Sequence, residues 1–140
     1  MTTNRNLEMF DESEGVAVEE AKKKYSSTVV DHFTNPRNWG TLENYDCYTY
    51  MSGTCGDTVG VYVGLKGDRI DRMGFVTNGC GPTIACGSAL TCLAKNLTVS
   101  EAKSLSSQKL IAHLDGLPAE KAHCADFVLS TLRGALEKLE

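Results

Sequence analysis

Six cysteines stand at positions 47, 55, 80, 86, 92 and 124, and three of them have neighbours that suit exposed sulfur chemistry. Cys55 lies in "SGTCGD", Cys80 in "TNGCGP" and Cys124 in "KAHCAD". Each has a small residue beside it: Gly56, Gly79 with Gly81, and Ala125. Glycine leaves room for backbone amides to approach a sulfur or a bulky inorganic group. Two of the segments add a non-sulfur donor, Asp57 after Cys55 and His123 before Cys124. Cys55, Asp57, Cys80, His123 and Cys124 together offer three thiolates, a carboxylate and an imidazole. Such a donor set suits zinc, copper(I) or iron–sulfur chemistry. Lys121, and the positive end of a helix starting near it, would favour the thiolate form of Cys124.

No two cysteines have the C-x-x-C spacing of a zinc ribbon or a dithiol oxidoreductase. The remaining cysteines, Cys47, Cys86 and Cys92, read as small buried apolar residues, since free cysteine is among the most buried types. Cys86, six residues beyond Cys80, could also lie near the site as a spare thiol. His32 and His113 read as surface or capping histidines, and Trp39 as a packing residue.

The elements that must position these residues follow from periodicity. Residues 1–18 are polar and acidic without sustained period and read as a mobile lead-in, leaving one domain over 19–140. Tyr25, Val29 and Phe33 recur every four residues, which predicts an amphipathic helix from Glu19 to Phe33, stopped by "NPRNWG". From Tyr45 to Thr77 the period is two, with Val59, Val61, Val63 and Leu65 on one face. A Gly-Asp turn in "LKGDRI" makes this a hairpin, and "DCYTYMSG" adds a third strand. After Cys80 the pattern is helical: Pro82 at a helix start, a capping box in "TVSE", a short helix from Ser107 to Leu114, and a last helix from about Ala119 to Leu139. Strands first and helices afterwards predict an α+β fold, a three-stranded antiparallel sheet with helices laid over one face. Cys55, Cys80 and Cys124 then all fall at element ends.

A net charge of −4 argues against nucleic acid as the partner. No apolar run has the length of a membrane span. The N-terminus lacks the features of a secretory or mitochondrial leader, which predicts a cytoplasmic, reducing location where disulfides are disfavoured.

"SGTCGD", "NGCGPTIACGS" and "LPAEKAHC" resemble, in order and separation, the signature segments of the IscU/NifU-type iron–sulfur cluster assembly scaffolds. "YSSTVVDHFTNPRNWG" resembles that family's N-terminal segment, and the likeness runs from about Lys24 to the C-terminus. The resemblance implies a non-catalytic scaffold that receives sulfur from a cysteine desulfurase, builds a [2Fe–2S] or [4Fe–4S] cluster, and passes it to apo-proteins. It places the three cluster cysteines on Cys55, Cys80 and Cys124, with Asp57 and His123 both open as the fourth ligand, and Zn2+ or Fe2+ able to occupy the same site. Cys124, beside Lys121 and His123, is the first candidate sulfur acceptor and Cys55 the second. The family's chaperone-recognition stretch commonly reads L-P-P-V-K, whereas residues 117–121 read "LPAEK", so a chaperone partner is doubtful. Rival readings are a SufU-like, zinc-dependent sulfur acceptor that activates a desulfurase, a thiol oxidoreductase, and a stably metallated structural module. A monomer and a homodimer both remain open.

Overall fold

In the computed structural model, residues 19–53 and 56–139 are described. The expected lead-in over 1–18 lies outside them, and so does Cys55.

Alternation of valine with small or aromatic residues builds the sheet. Strands β1 (Cys47–Ser52), β2 (Thr58–Lys66) and β3 (Arg69–Thr77) pair antiparallel in the order β1-β2-β3. Lys66 pairs with Arg69 across a two-residue Gly67-Asp68 turn, where Gly67 adopts a φ of 66°. That conformation is one a glycine takes without strain. Val59, Val61 and Val63 point inward and are fully buried with Phe75, whereas Tyr48, Tyr50 and Tyr62 gather on the opposite face. Every helix contact on the sheet therefore falls on the valine face, as the alternation predicts.

Both long edges of the sheet are managed. Beside β3, Gly40 N donates to Phe75 O at 2.8 Å and Phe75 N to Asn38 O at 3.1 Å. At the other end of β3, Ile70 N donates to Leu97 O and Asn96 N to Ile70 O, each at 2.8 Å. On β1, Lys138 Nζ caps the Tyr48 carbonyl at 2.9 Å. Such cover blunts an edge that would otherwise invite further strands.

Five α-helices follow the pattern with local differences. The predicted helix from Glu19 to Phe33 is two pieces, a helical stretch over 19–24 and α1 (Ser27–Thr34). The break has a clear cause. Ser26 takes an extended conformation, accepts from Val29 N at 3.0 Å as an N-cap, and donates to Leu114 O from the far side of the fold. Helix α2 (Gly81–Ala94) is buried on nearly every side, which its run of alanine, glycine, serine and cysteine permits. α3 (Val99–Lys103) opens with the expected capping box of Thr98 and Glu101. α4 (Ser107–His113) ends at a Gly116 with φ 103°. The last helix begins as a 3-10 turn over Ala119–Lys121 and becomes α5 over Ala122–Leu136, shorter than predicted because Lys121 N bonds back to Pro118 O at 2.9 Å. Val128, Leu132, Ala135 and Leu136 of α5 are fully buried against the sheet.

Two expectations for single residues fail. His32 is buried, not superficial, because α2 packs on α1 and supplies Ser88 as its partner at 2.7 Å. Cys92 is exposed, near the C-terminal end of α2, where no other described element buries it.

Candidate functional site

The ends of β1, β2 and β3 and the starts of α2 and α5 meet at one rim of the sheet. The β1–β2 connection is closed by Gly53 N donating to Asp57 O at 2.8 Å, with Gly56 at φ 88°. This brings the Asp57 carboxylate against Gly79, so near that a methyl group on Gly79 would sit 3.1 Å from its oxygen. Asp57, Thr83 and His123 line one cavity of about 290 Å3, with Asp126 and Phe127 completing its far wall.

Cys80 is the N-cap residue of α2, extended in backbone and exposed in side chain. Cys124, in the first turn of α5, is 1% exposed. Although they are far apart in sequence, their sulfurs flank a single hydroxyl. Thr83 Oγ1 lies 3.6 Å from Cys80 Sγ and 3.5 Å from Cys124 Sγ. His123 Nε2 lies 3.8 Å from Cys124 Sγ. That is near the separation of about 3.6 Å expected of a nitrogen and a sulfur sharing one tetrahedral ion, given bonds of about 2.0 and 2.3 Å. Among the described residues no three His, Cys, Asp or Glu side chains lie close enough together to hold one ion. The donors that do meet, two thiols and an imidazole, are of a kind that suits iron and zinc.

The two thiols divide their protons unequally. Cys80 is held well below the ordinary thiol value, to about 5, first by the hydrogen bond from Cys124, then by Thr83 and the charge of Lys121, against the opposing effect of burial. Cys124 is pushed up, because it keeps the proton it donates to Cys80 and because it is buried. The sequence expectation placed the thiolate on Cys124. The structure gives it to Cys80, and the first reason is the hydrogen bond between the two thiols, in which Cys124 donates and Cys80 accepts, with Thr83 and Lys121 adding to it. Cys86 is buried beneath them, its thiol pushed up to about 12 by desolvation.

Two contributors escape a reading by motif. Thr83 was signalled only by standing three residues after an N-cap, the spacing at which a helical side chain faces back over its own start. Tyr25 lines a cavity with Phe33, Gly81 and Pro82, and burial raises the pKa of its hydroxyl while the charge of Lys121 lowers it. Nothing in its local sequence distinguishes it from a core residue. Asp57, Cys80, Lys121, His123 and Cys124 thus share one neighbourhood, while Cys55 lies outside the described residues.

Residues 24–140 match the NifU-like N-terminal domain. The chain belongs to that family. It is 39% identical over 113 residues to the iron–sulfur cluster assembly scaffold protein IscU 1 of Archaeoglobus fulgidus, covering 80% of this chain and 74% of the relative. It is 36% identical over 117 residues to the IscU scaffold protein of Aquifex aeolicus, covering 81% and 74%. Relatives of this NifU-like domain also include a mitochondrial iron–sulfur cluster assembly protein of Saccharomyces cerevisiae, at 30% identity over 84% of this chain and 78% of the relative. Among solved structures, the N-terminal part of a NifU-like protein from Brucella abortus superposes with a TM-score of 0.64 at 13% identity, over 80% of this chain and 91% of that one. A SUF-system scaffold protein from Fervidobacterium islandicum superposes with the same TM-score, 0.64, at 21% identity over 80% and 96%. Both show that the NifU-like chain has the α+β fold of those structures. Among the described residues no helix is long and apolar enough to cross a membrane.

Proposed function

We propose that this NifU-like chain is a scaffold on which a labile [2Fe–2S]-type cluster is assembled from iron and desulfurase-derived sulfur, then handed to apo-proteins. The observation that carries this reading is the meeting of an exposed thiolate and a buried thiol about one hydroxyl, beside an imidazole and a carboxylate. Cys55, Cys80 and Cys124 supply three thiolates to the cargo. Asp57 or His123 supplies the fourth ligand. A permanent cluster is held by four thiolates. A carboxylate or imidazole in place of the fourth thiolate, at a solvent-facing rim, makes the cargo easier to release. Zn2+ or Fe2+ bound by the same donors would occupy the position before sulfur arrives.

Sulfur capture uses the proton arrangement already present. A thiolate attacks the outer sulfur of the persulfide on a cysteine desulfurase. A new S–S bond forms, the donor's S–S bond breaks, and the donor cysteine leaves as a thiolate. Cys80 is the thiol this conformation offers, being exposed and ionised, and Cys124 receives sulfur when the rim opens. The sequence reading instead ranks Cys124 first and Cys55 second.

Anaerobic reconstitution with ferrous iron, cysteine and a desulfurase tests the reading. A visible-absorbing species that moves to an apo-ferredoxin supports it. A colourless, tightly held zinc form that only accelerates the desulfurase would instead identify a sulfur acceptor of the SufU type.

A further inference from the structure

The helix threonines differ in partner: Thr28, at the start of α1, donates to the Asp115 carboxylate, whereas three others bond back along their own helix. Thr34, Thr91 and Thr131 each turn the hydroxyl back to a backbone carbonyl three or four residues earlier, at 2.9, 2.7 and 2.9 Å. Thr83 does not. It is 2% exposed, and its hydroxyl has two hydrogen-bond partners among the described residues, Cys80 Sγ and Cys124 Sγ. Sulfur is a weak acceptor when neutral and a stronger one as a thiolate. A buried hydroxyl aimed only at two sulfurs is therefore poorly placed for stability and well placed to act on thiolates.

The position is fixed from both sides. Thr83 is the third residue of α2, whose start is set by Cys80 and Pro82, and its hydroxyl reaches across to Cys124 of α5. One side chain thus ties together the two helix starts that carry the thiols. A hydrogen bond to a metal-bound thiolate draws electron density from the iron–sulfur bond, which weakens the bond and raises the reduction potential.

We propose that Thr83 is a positioning residue that holds Cys80 and Cys124 about one hydroxyl and, by donating its single proton to one or other thiolate, sets how readily the cluster leaves. The inference rests on the scaffold reading and adds a residue to it.

The test compares Thr83→Val, which keeps the shape and removes the hydroxyl, with Thr83→Ser, which keeps the hydroxyl. Thr83→Ala serves if the valine variant fails to fold by circular dichroism. Each is reconstituted anaerobically beside Cys80→Ser. Three quantities are read: the rate of transfer to apo-ferredoxin, the reduction potential, and the sulfur-to-iron charge-transfer band. Without the hydroxyl, transfer slows about tenfold, the potential becomes more negative and the band shifts, while Thr83→Ser matches the parent protein. Parent-like rate, potential and spectrum in Thr83→Val or Thr83→Ala overturn the role of Thr83, provided Cys80→Ser has lost the cluster. If Cys80→Ser itself assembles and passes a cluster as the parent does, Cys80 is no ligand and the role of Thr83 falls with it; if the parent neither assembles nor passes a cluster, the scaffold reading fails instead.

Discussion

At the scale of single residues, the site turns on where one proton sits. Cys124 retains it and Cys80 gives it up, since Cys124 donates the hydrogen bond that Cys80 accepts, and burial adds to the penalty on a charged Cys124. Because the folded-state value of Cys80 lies below that of an unfolded thiol, its reactivity stays level as pH falls from 8 and declines only on approach to about 5. The same sign means that Cys80 contributes stability above the ordinary thiol range and that this contribution is lost as pH falls toward about 5. Iodoacetamide labelling of the native apo-protein near pH 6.5, mapped by mass spectrometry, is therefore expected to modify Cys80 first and to spare Cys86 and Cys124. Preferential labelling of Cys124 would contradict this assignment. Asp57 belongs to the same scale. Its carboxylate stands beside Gly79 without enclosing the site, as a replaceable ligand would. Asp57→Ala is expected to keep the cluster longer against an apo-ferredoxin, and transfer as fast as the parent's would refute that role.

At the scale of elements, α1 and α2 are joined by a buried polar link. Ser88 Oγ accepts from Arg37 N at 2.8 Å and is hydrogen-bonded to His32 Nδ1 at 2.7 Å. Ser88→Ala leaves both partners unsatisfied in the interior and should lower stability by about 1–3 kcal/mol in urea unfolding. Burial and Arg37 lower the His32 pKa, so an unfolded chain binds a proton there more readily. Stability is accordingly lost as pH drops below about 6.5, the value of an unperturbed histidine. A second link is the cover over β3. Gly74 passes so close to the Gly40 carbonyl that a methyl group would sit 2.5 Å from its oxygen, and backbone cannot yield as a side chain does. Gly74→Ala is expected to cost about 1–3 kcal/mol as an overpacked contact, read as a lower Tm. A Tm within a degree of the parent's would show that the 38–40 segment moves freely.

The same elements show what was legible in the sequence. The hairpin, the capping box at Thr98 and the placing of Cys80 at a helix start depend on local chemistry and were read correctly. The break at Ser26 was not, because the four-residue recurrence of Tyr25, Val29 and Phe33 runs straight through it. Only a partner 88 residues away, the Leu114 carbonyl, selects the cap over a continuing helix. The burial of His32 and Cys124 and the exposure of Cys92 likewise depend on which helix packs where. Side-chain spacing along one segment carries no record of that. Asp57, Cys80, Lys121, His123 and Cys124 could be grouped from sequence, but the division of protons among them could not.

At the scale of the whole molecule, the valine face of the sheet is packed by α2 and α5, and among the described residues Asp57, Cys80, His123 and Cys124 lie at one rim. The design separates holding from releasing. On the proposed scaffold reading, core packing sets the position of Cys124, while the exposed Cys80 is the thiol that partners bringing sulfur meet first. The central claim is that Cys80 and Cys124, with Cys55, share one cargo, whereas Cys47 and Cys92 take no part. Iron and sulfide per chain, measured after anaerobic reconstitution of single serine variants, tests it most directly. The account predicts loss of the visible chromophore and of both elements in Cys55→Ser, Cys80→Ser and Cys124→Ser, and parent-like loading in Cys47→Ser and Cys92→Ser. Full loading of Cys80→Ser or Cys124→Ser would contradict it.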